Sequence, residues 1–126
     1  MPKVVVIDES PADCLTLMYA LEESGYKVES AGTFADGLAL IAEFQPDLVT
    51  IEVAQSSGQG YHQIDDGLET IRQIKELRPS IPIIVITVIG DQGSLSAIKE
   101  SAADKLITKP FHRNKLPAAI RDLIGE

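Results

Sequence analysis

Short apolar runs alternate with segments of helical periodicity along the whole chain, and this alternation limits the possible folds more than any other feature. Five such pairs occur in the 126 residues. The apolar runs are KVVVI, KVESA, DLVTIEV, IPIIVITVI and KLITK, and the helical segments that follow them span 11–25, 33–44, 67–77, 94–102 and 113–124. Strands that alternate with helices form a parallel sheet with helices on both faces. The sequence therefore predicts a doubly wound α/β fold with five parallel strands and five helices.

The composition of the runs indicates which strands are central. The runs from Val4 to Ile7 and from Ile83 to Ile86 are uniformly apolar, which is typical of strands covered on both faces, whereas KVESA alternates as an edge strand does. Local signals also mark the first helix. Ser10 followed by Pro11 predicts the N-cap and first position of the helix, and Gly25 predicts its end.

The size of the chain fits a single domain over residues 1–126. With 44% hydrophobic residues, such a domain buries roughly two thirds of its unfolded surface. The longest apolar run, from Ile81 to Ile89, is interrupted by Pro82 and Thr87 and is far shorter than the roughly 20 residues of a membrane span. The start, MPKVVVID, lacks the long apolar stretch of a signal peptide. Together with the lone Cys14, which falls at helical spacing with apolar residues, these features predict a cytoplasmic protein without a disulfide within the chain.

The charge of the chain limits the class of partner. The net charge is −8 and the isoelectric point is near 4.7. A surface of this kind repels phosphate backbones and anionic lipid. The sequence therefore predicts a protein partner, with no direct binding of nucleic acid or membrane.

The segment AQSSGQGYHQIDDG, residues 54–67, is longer than an ordinary connection between a strand and a helix. Loops of this length are usually either functional or disordered, and the sequence leaves both open. Asp65 and Asp66 fit the N-cap of a helix that begins at residue 67 or 68 better than they fit a metal site. His62 and His112 lack the spacing of metal ligands, which predicts surface positions for both.

Polar residues end four of the five predicted strands. Ligands of open parallel sheets bind at the carboxyl ends of the strands, and a strand order of 2-1-3-4-5 brings these ends to one rim. Each residue taken singly also fits an ordinary role, at a helix N-terminus or in a local hydrogen bond. Taken together, the three carboxylates supply oxygen ligands of the kind that Mg²⁺ binds. They therefore indicate a site for Mg²⁺ with an ammonium beside it. The residues are Asp8, Glu9, Glu52, Thr87, Thr108 and Lys109.

The same landmarks resemble the receiver domains of response regulators in two-component signalling. VVVIDES, PDLVTIE, PIIVIT and ITKPF are similar, in order, to the first, third, fourth and fifth strands of that family. The resemblance implies a flavodoxin-like fold and a phosphoacceptor position at residue 52. It also implies a cis bond before Pro110. The roles that it implies for the remaining residues are metal binding by Asp8, Glu9, Glu52 and the backbone carbonyl of Ala54, and phosphoryl binding by Thr87 and Lys109.

The sequence departs from the family pattern in three places, all connected with signalling. The phosphoacceptor of the family is Asp, but this chain has Glu52. The family often has an aromatic switch residue three positions before the lysine, where this chain has Leu106. The loop after the third strand is longer than usual and lacks a proline. These departures predict a pseudo-receiver that binds Mg²⁺ weakly and is not an enzyme, with Glu52 acting either as a mimic of the phosphorylated state or as a disabling change.

Two other functions stay open from the sequence. One is a conventional receiver that a histidine kinase phosphorylates on Glu52 with Mg²⁺. The other is a small α/β enzyme or flavin carrier, which the absence of a Ser/Thr-rich phosphate loop and of a Gly-rich dinucleotide turn disfavours. The predicted partner is a sensor histidine kinase or a downstream effector in a phosphorelay. It would dock on the surface of Ser94–Ala102, Lys105–Ile107 and Arg113–Ile124, or on the loop Gln55–Gln63, and the sequence does not indicate an oligomeric state.

Overall fold

The computed structural model describes residues 2–56, 62–88, 91–112 and 114–125. The strands of its main sheet are β1 Lys3–Ile7, β2 Lys27–Ala31, β3 Leu48–Ile51, β4 Ile83–Thr87 and β5 Lys105–Thr108. All five are parallel and lie in the order β2-β1-β3-β4-β5, which confirms the predicted fold and strand order. The helices are α1 Pro11–Glu23, α2 Phe34–Phe44, α3 Asp65–Leu77, α4 Gln92–Glu100 and α5 Lys115–Ile124.

A separate core covers each face of the sheet, because side chains of a strand point alternately to opposite faces. The central strands are buried on both faces, as their uniformly apolar sequences predict. Cys14 is buried in the first core, and its thiol donates to the Asp8 backbone carbonyl at 3.1 Å. The first core, against α1 and α5, includes Val4, Val6, Leu21, Ile84, Ile86, Leu116 and Ile120. The second core, against α2, α3 and α4, includes Val5, Ile7, Ile41, Val49, Ile71, Ile74 and Ile98.

The ends of α1 match the sequence signals. Ser10 caps the helix, since its Oγ accepts a hydrogen bond from the Asp13 backbone N–H at 3.2 Å. Gly25 lies just beyond the C-cap Ser24 with a φ of +93°. This left-handed conformation costs glycine little, and the residue ends the helix as predicted.

Two other helices begin earlier than the sequence predicts. The expected N-cap role of Asp65 and Asp66 is wrong, because α3 begins at Asp65 itself and its N-cap, Ile64, makes no side-chain capping bond. Both acids lie in the first turn, where the helix dipole favours negative charge. Helix α4 begins at Gln92 because Asp91 caps it, with Oδ1 accepting from the Ser94 N–H at 2.6 Å.

The long connection between β3 and α3 contains a short antiparallel hairpin. Its two strands are Gln55–Ser56 and His62–Gln63, with Gln55 opposite Gln63. Residues 57–61 and the side chain of His62 lie outside the described part, so the predictions for this loop and for His62 stay predictions. His112 is exposed as expected, and its Nδ1 accepts from the Asn114 N–H at 3.2 Å. Among the described residues, no helix combines the length and apolar character needed to cross a bilayer.

Gly67 packs directly against the backbone that follows β3. A Cβ added at this position would lie 2.6 Å from both Cα and the carbonyl oxygen of Val53. We therefore expect Gly67→Ala to displace the connection and to lower the free energy of unfolding by about 1–3 kcal/mol, as overpacking does. Urea unfolding measures this change.

The matched control is Gly93→Ala in α4, where the added Cβ would meet, among the described residues, only a side-chain oxygen, Asp91 Oδ1, at 3.3 Å. This change should be neutral or should stabilise the domain by up to about 1 kcal/mol through helix propensity. A Gly67→Ala variant as stable as the native chain would contradict the close approach.

Candidate functional site

The register of the sheet brings the ends of β1, β3, β4 and β5 to one rim. Strand β1 ends level with β3, since Ile7 pairs with Ile51, and β4 ends level with β5. Backbone hydrogen bonds continue past the strand ends and fix the first residue beyond three of them. These bonds run from Asp8 N–H to Ala31 O at 3.1 Å, from Glu52 N–H to Ile7 O at 2.9 Å, and from Lys109 N–H to Thr87 O at 2.9 Å.

The ammonium group of Lys109 lies among three carboxylates at this rim. Its Nζ is 2.8 Å from Asp13 Oδ2, 2.9 Å from Asp8 Oδ2 and 3.2 Å from Glu52 Oε1. The side chains of Asp8, Glu52 and Lys109 are 3%, 10% and 16% exposed, whereas that of Asp13 is 46% exposed. The rim is therefore a largely buried ion cluster with one wet side. Buried charges of this kind require partners, and here one cation serves three anions.

The Glu52 carboxylate bends back towards its own backbone. Its Oε2 accepts from the Ala54 backbone N–H at 3.1 Å, while Oε1 contacts Lys109. Burial raises the pKa of the Glu52 carboxyl, and the Thr87 hydroxyl, the Ala54 N–H and Lys109 lower the pKa by less than burial raises it. The Glu52 carboxylate is consequently less well stabilised at the rim than it would be in water.

The Lys109 ammonium is held more firmly. Burial lowers the pKa of this group, but hydrogen bonds to Asp13 and Asp8 and the charge of Glu52 raise it by more. The pKa of Lys109 therefore lies above its usual range. Lys109 is therefore charged at neutral pH. The pKa of Glu52 and the pKa of Lys109 can both be raised because the ammonium is held mainly by the two aspartates, which lie closer to it than Glu52 does.

Thr87 and Leu106, the two other residues with implied signalling roles, lie outside the ion cluster. The Thr87 side chain is buried, and its hydroxyl makes no well-aligned hydrogen bond within the described part, although it acts on the pKa of Glu52. Leu106 lies opposite Val85 in the sheet and packs half-buried against the second core. The bond between Lys109 and Pro110 is cis.

The sequence prediction brought together some of the rim residues and missed one. Asp8, Glu52 and Lys109 meet as expected, whereas Glu9 and Thr108 are exposed. The residue that was missed is Asp13, an acid in the first turn of α1, which makes the shortest contact to Lys109. The signal that could have found it is position: a helix that starts at the rim brings its first turn back over the strand ends.

The residues at the rim fit Mg²⁺ by donor type but do not form a ready metal site. Asp8 Oδ1 accepts from the Ser10 N–H at 2.9 Å and Oδ2 contacts Lys109, so both oxygens are in use. The two oxygens of Glu52 are likewise in use. Within the described residues, no group of three or more acidic, His or Cys side chains is arranged to hold a metal ion. A metal ion at Asp8 or Glu52 would therefore share their oxygens with Lys109 and with the backbone N–H donors.

A groove of about 490 Å³ opens beside the cluster, between α1 and the segment after β5. The Asp13 and Lys109 side chains form its polar end. The other lining residues are mainly apolar, and one of them, Val88, is 64% exposed. These residues are Thr16, Leu17, Ala20, Val88, Pro110 and Phe111.

The fold and the acid, hydroxyl and lysine groups at its rim define the class of two-component receivers. In agreement, the sequence model of the response regulator receiver domain family matches residues 4–121. The chain belongs to this family.

Curated relatives agree with this assignment. The chain is 31% identical over 124 residues to the transcriptional regulatory protein AfsQ1 of Streptomyces coelicolor, which covers 98% of this chain and 52% of that protein. It is 29% identical to the DNA-binding dual master transcriptional regulator RpaA of Synechocystis, over 98% of this chain and 49% of that protein. The chain thus spans about half the length of the curated relatives that it matches.

Solved structures share the fold. A two-component response regulator from Clostridium difficile superposes with a TM-score of 0.85 at 23% identity, covering 100% of this chain and 98% of that one. The receiver domain of a signal transduction histidine kinase from Syntrophus aciditrophicus gives a TM-score of 0.84 at 23% identity, covering 99% of this chain and 91% of that one.

Proposed function

We propose that this receiver domain is a pseudo-receiver, a protein-binding module of a two-component or phosphorelay pathway that works without being phosphorylated. The observation that carries the proposal is the arrangement of Glu52, whose two carboxylate oxygens contact Lys109 Nζ at 3.2 Å and the Ala54 N–H at 3.1 Å. A carboxylate thus already stands where a phosphoryl group on a shorter acceptor would meet the lysine.

Geometry is the first argument for this proposal. Phosphoryl transfer depends on positioning and electrostatic stabilisation, and a misplacement of about 1 Å can cost about a hundredfold in rate. The additional methylene of Glu52 moves its carboxylate by more than this, and both oxygens are engaged by neighbouring donors. Glu52 is therefore a poor nucleophile towards a phosphodonor.

A conventional receiver is the second candidate, and the comparison with relatives favours it. The curated relatives include transcriptional and response regulators, and this chain keeps Asp8, Thr87 and Lys109 of the family pattern. In that case Glu52 would accept the phosphoryl group despite its length. The two candidates differ in the outcome of one phosphorylation assay.

The assay exposes the native domain to acetyl phosphate and Mg²⁺ and measures intact mass. We expect no added phosphoryl group on the native chain, because Glu52 is misplaced, and partial labelling of Glu52→Asp, because the shorter acid restores the geometry. Glu43→Asp, which shortens an exposed acid on α2, is the matched control and should stay unlabelled. Stoichiometric phosphorylation of native Glu52 would refute the proposal and establish the conventional receiver.

The second argument concerns switching. Leu106 packs half-buried against the second core and has no aromatic ring to move between an inward and an outward position. A ligand shifts a conformational equilibrium only by its differential affinity for two states. We propose that the surface of α4, β5 and α5 stays in one state and binds a sensor histidine kinase or a downstream effector constitutively. Arg113 of the predicted docking surface lies outside the described residues.

Affinity for such a partner, once purified, tests this constitutive binding. We expect the affinity to be insensitive to phosphodonor, but to fall about tenfold on Glu52→Gln or Lys109→Ala if the rim contact holds the surface in its binding state, a coupling of about 1.4 kcal/mol. Glu43→Gln is the control. If binding survives Glu52→Gln and is lost when residues 55–63 are deleted, the loop is the docking site and Glu52 only disables phosphorylation.

Weak Mg²⁺ binding forms part of the proposal. Asp8, Glu9, Glu52 and the Ala54 carbonyl would hold the ion, which would neutralise anionic charge at the rim. We expect Asp8→Asn to lower Mn²⁺ affinity at least tenfold, since even outer-shell changes cost about 10–100-fold. Asp36→Asn, an exposed acid of α2, should leave the affinity unchanged. Equal Mn²⁺ affinity in native and Asp8→Asn proteins would remove the metal assignment.

The remaining parts of the proposal follow from charge. At a net charge of −8, the chain is unsuited to direct contact with nucleic acid or anionic membrane. We therefore propose a protein partner in the cytoplasm. The binding role requires no enzymatic activity.

A further inference from the structure

Asp13 is the rim residue that neither the strand ends nor the pattern of receiver landmarks accounts for. It lies on α1 rather than at the end of a strand, and its Oδ2 is 2.8 Å from Lys109 Nζ, the shortest of the three carboxylate contacts. Asp13 also lines the polar end of the groove beside α1.

A closed ring of hydrogen bonds fixes the Asp13 carboxylate relative to Asp8. The Ser10 N–H donates to Asp8 Oδ1 at 2.9 Å, and the Asp13 N–H donates to Ser10 Oγ at 3.2 Å. Lys109 Nζ closes the ring by donating to both aspartates. The capping turn of α1 therefore sets two carboxylates at the spacing that one ammonium can bridge, before Glu52 is considered.

The number of N–H donors on the Lys109 ammonium limits how many anions it can bind at once. A lysine ammonium has three N–H donors and no acceptor. Asp8, Asp13 and Glu52 provide three acceptors at 2.8–3.2 Å. Hydrogen bonds to Asp8 and Asp13 use two of the donors and Glu52 forms an ion pair, so an additional anion at the rim competes with these carboxylates for the ammonium.

We propose that Asp13 is a positioning residue that anchors the Lys109 ammonium at the α1 side of the rim and withholds it from anions that enter the site. With Asp13 in place, Lys109 is divided among three internal carboxylates. The proposal goes beyond the proposed function, because it concerns the state of Lys109 in the native domain and holds whether or not Glu52 accepts a phosphoryl group.

The competing explanation is that Asp13 only stabilises the start of α1. Asp36 provides the matched comparison, because it has the same relation to the cap of α2. Its backbone N–H donates to Thr33 Oγ1 at 3.0 Å, as that of Asp13 donates to Ser10 Oγ, and it lies in the first turn of its helix. Helix α2, however, follows the edge strand β2, and Lys109 follows β5 at the opposite edge. Loss of a first-turn acid is therefore common to both variants, and loss of the Lys109 contact is specific to one.

The experiment measures hydrogen exchange of the Lys109 ammonium by ¹⁵N NMR in the native domain and in Asp13→Asn, Asp36→Asn and Asp13→Glu. We expect exchange about fivefold faster in Asp13→Asn, which corresponds to the free energy of a half-exposed ion pair. Exchange should be unchanged in Asp36→Asn and should return to the native rate in Asp13→Glu. Asp13 is 46% exposed, so Asp13→Asn should fold, and backbone amide spectra check this. Exchange that is unchanged in Asp13→Asn, or equally faster in Asp36→Asn, would overturn the proposal.

Inorganic phosphate is the probe for the second half of the proposal. Titration should perturb the Lys109 ammonium signal of Asp13→Asn at about fivefold lower phosphate concentration than that of the native domain, because one donor is released. A matching response in the two proteins would mean that Asp13 anchors the lysine without withholding it from anions, and this half would be abandoned. Neither measurement depends on phosphorylation, so its failure is distinguishable from failure of the pseudo-receiver assignment.

Discussion

The ion pairs of the Lys109 ammonium are the interactions on which the arrangement of the rim depends. The ammonium joins groups from β1, α1, β3 and β5, and one of its contacts links residues 96 positions apart in the sequence. Without a cation at this point, three carboxylates would lie close together in a largely buried site, where like charges disfavour ionisation. The raised pKa of Glu52 indicates that Lys109 and the other donors do not fully offset the burial of that carboxyl.

The sheet supplies the frame for this interaction. Parallel strands whose ends are level place the first residue after each strand at the same edge, and backbone hydrogen bonds extend the sheet pattern by one residue at Asp8, Glu52 and Lys109. Positions fixed by backbone bonds leave little freedom to side chains as short as Asp8. A change of one methylene at residue 52 is therefore a change in where the carboxylate lies, since the backbone at this residue is held by a hydrogen bond to Ile7.

The departures from the family pattern act at different points of one mechanism. Glu52 changes the group that would be phosphorylated and Leu106 changes the residue that would report the phosphorylation, while Asp13, outside that pattern, contacts the lysine that would bind the phosphoryl group. All of them leave both hydrophobic cores intact. Such a pattern is consistent with a domain whose fold was retained as a binding surface, which is the physical basis of the pseudo-receiver proposal.

The sequence by itself determined the fold, its strand order and three of the four members of the ion cluster. Periodicity identifies strands and helices, and the rule that parallel strands end at one rim places Asp8, Glu52 and Lys109 together without any coordinates. Only the tertiary structure decided that Asp13 joins them, that α3 and α4 begin before their predicted starts, and that a hairpin lies in the connection after β3. The physical reason is that strand ends follow from local patterns, whereas a contact between the first turn of α1 and a lysine beyond β5 depends on how the helix packs over the sheet.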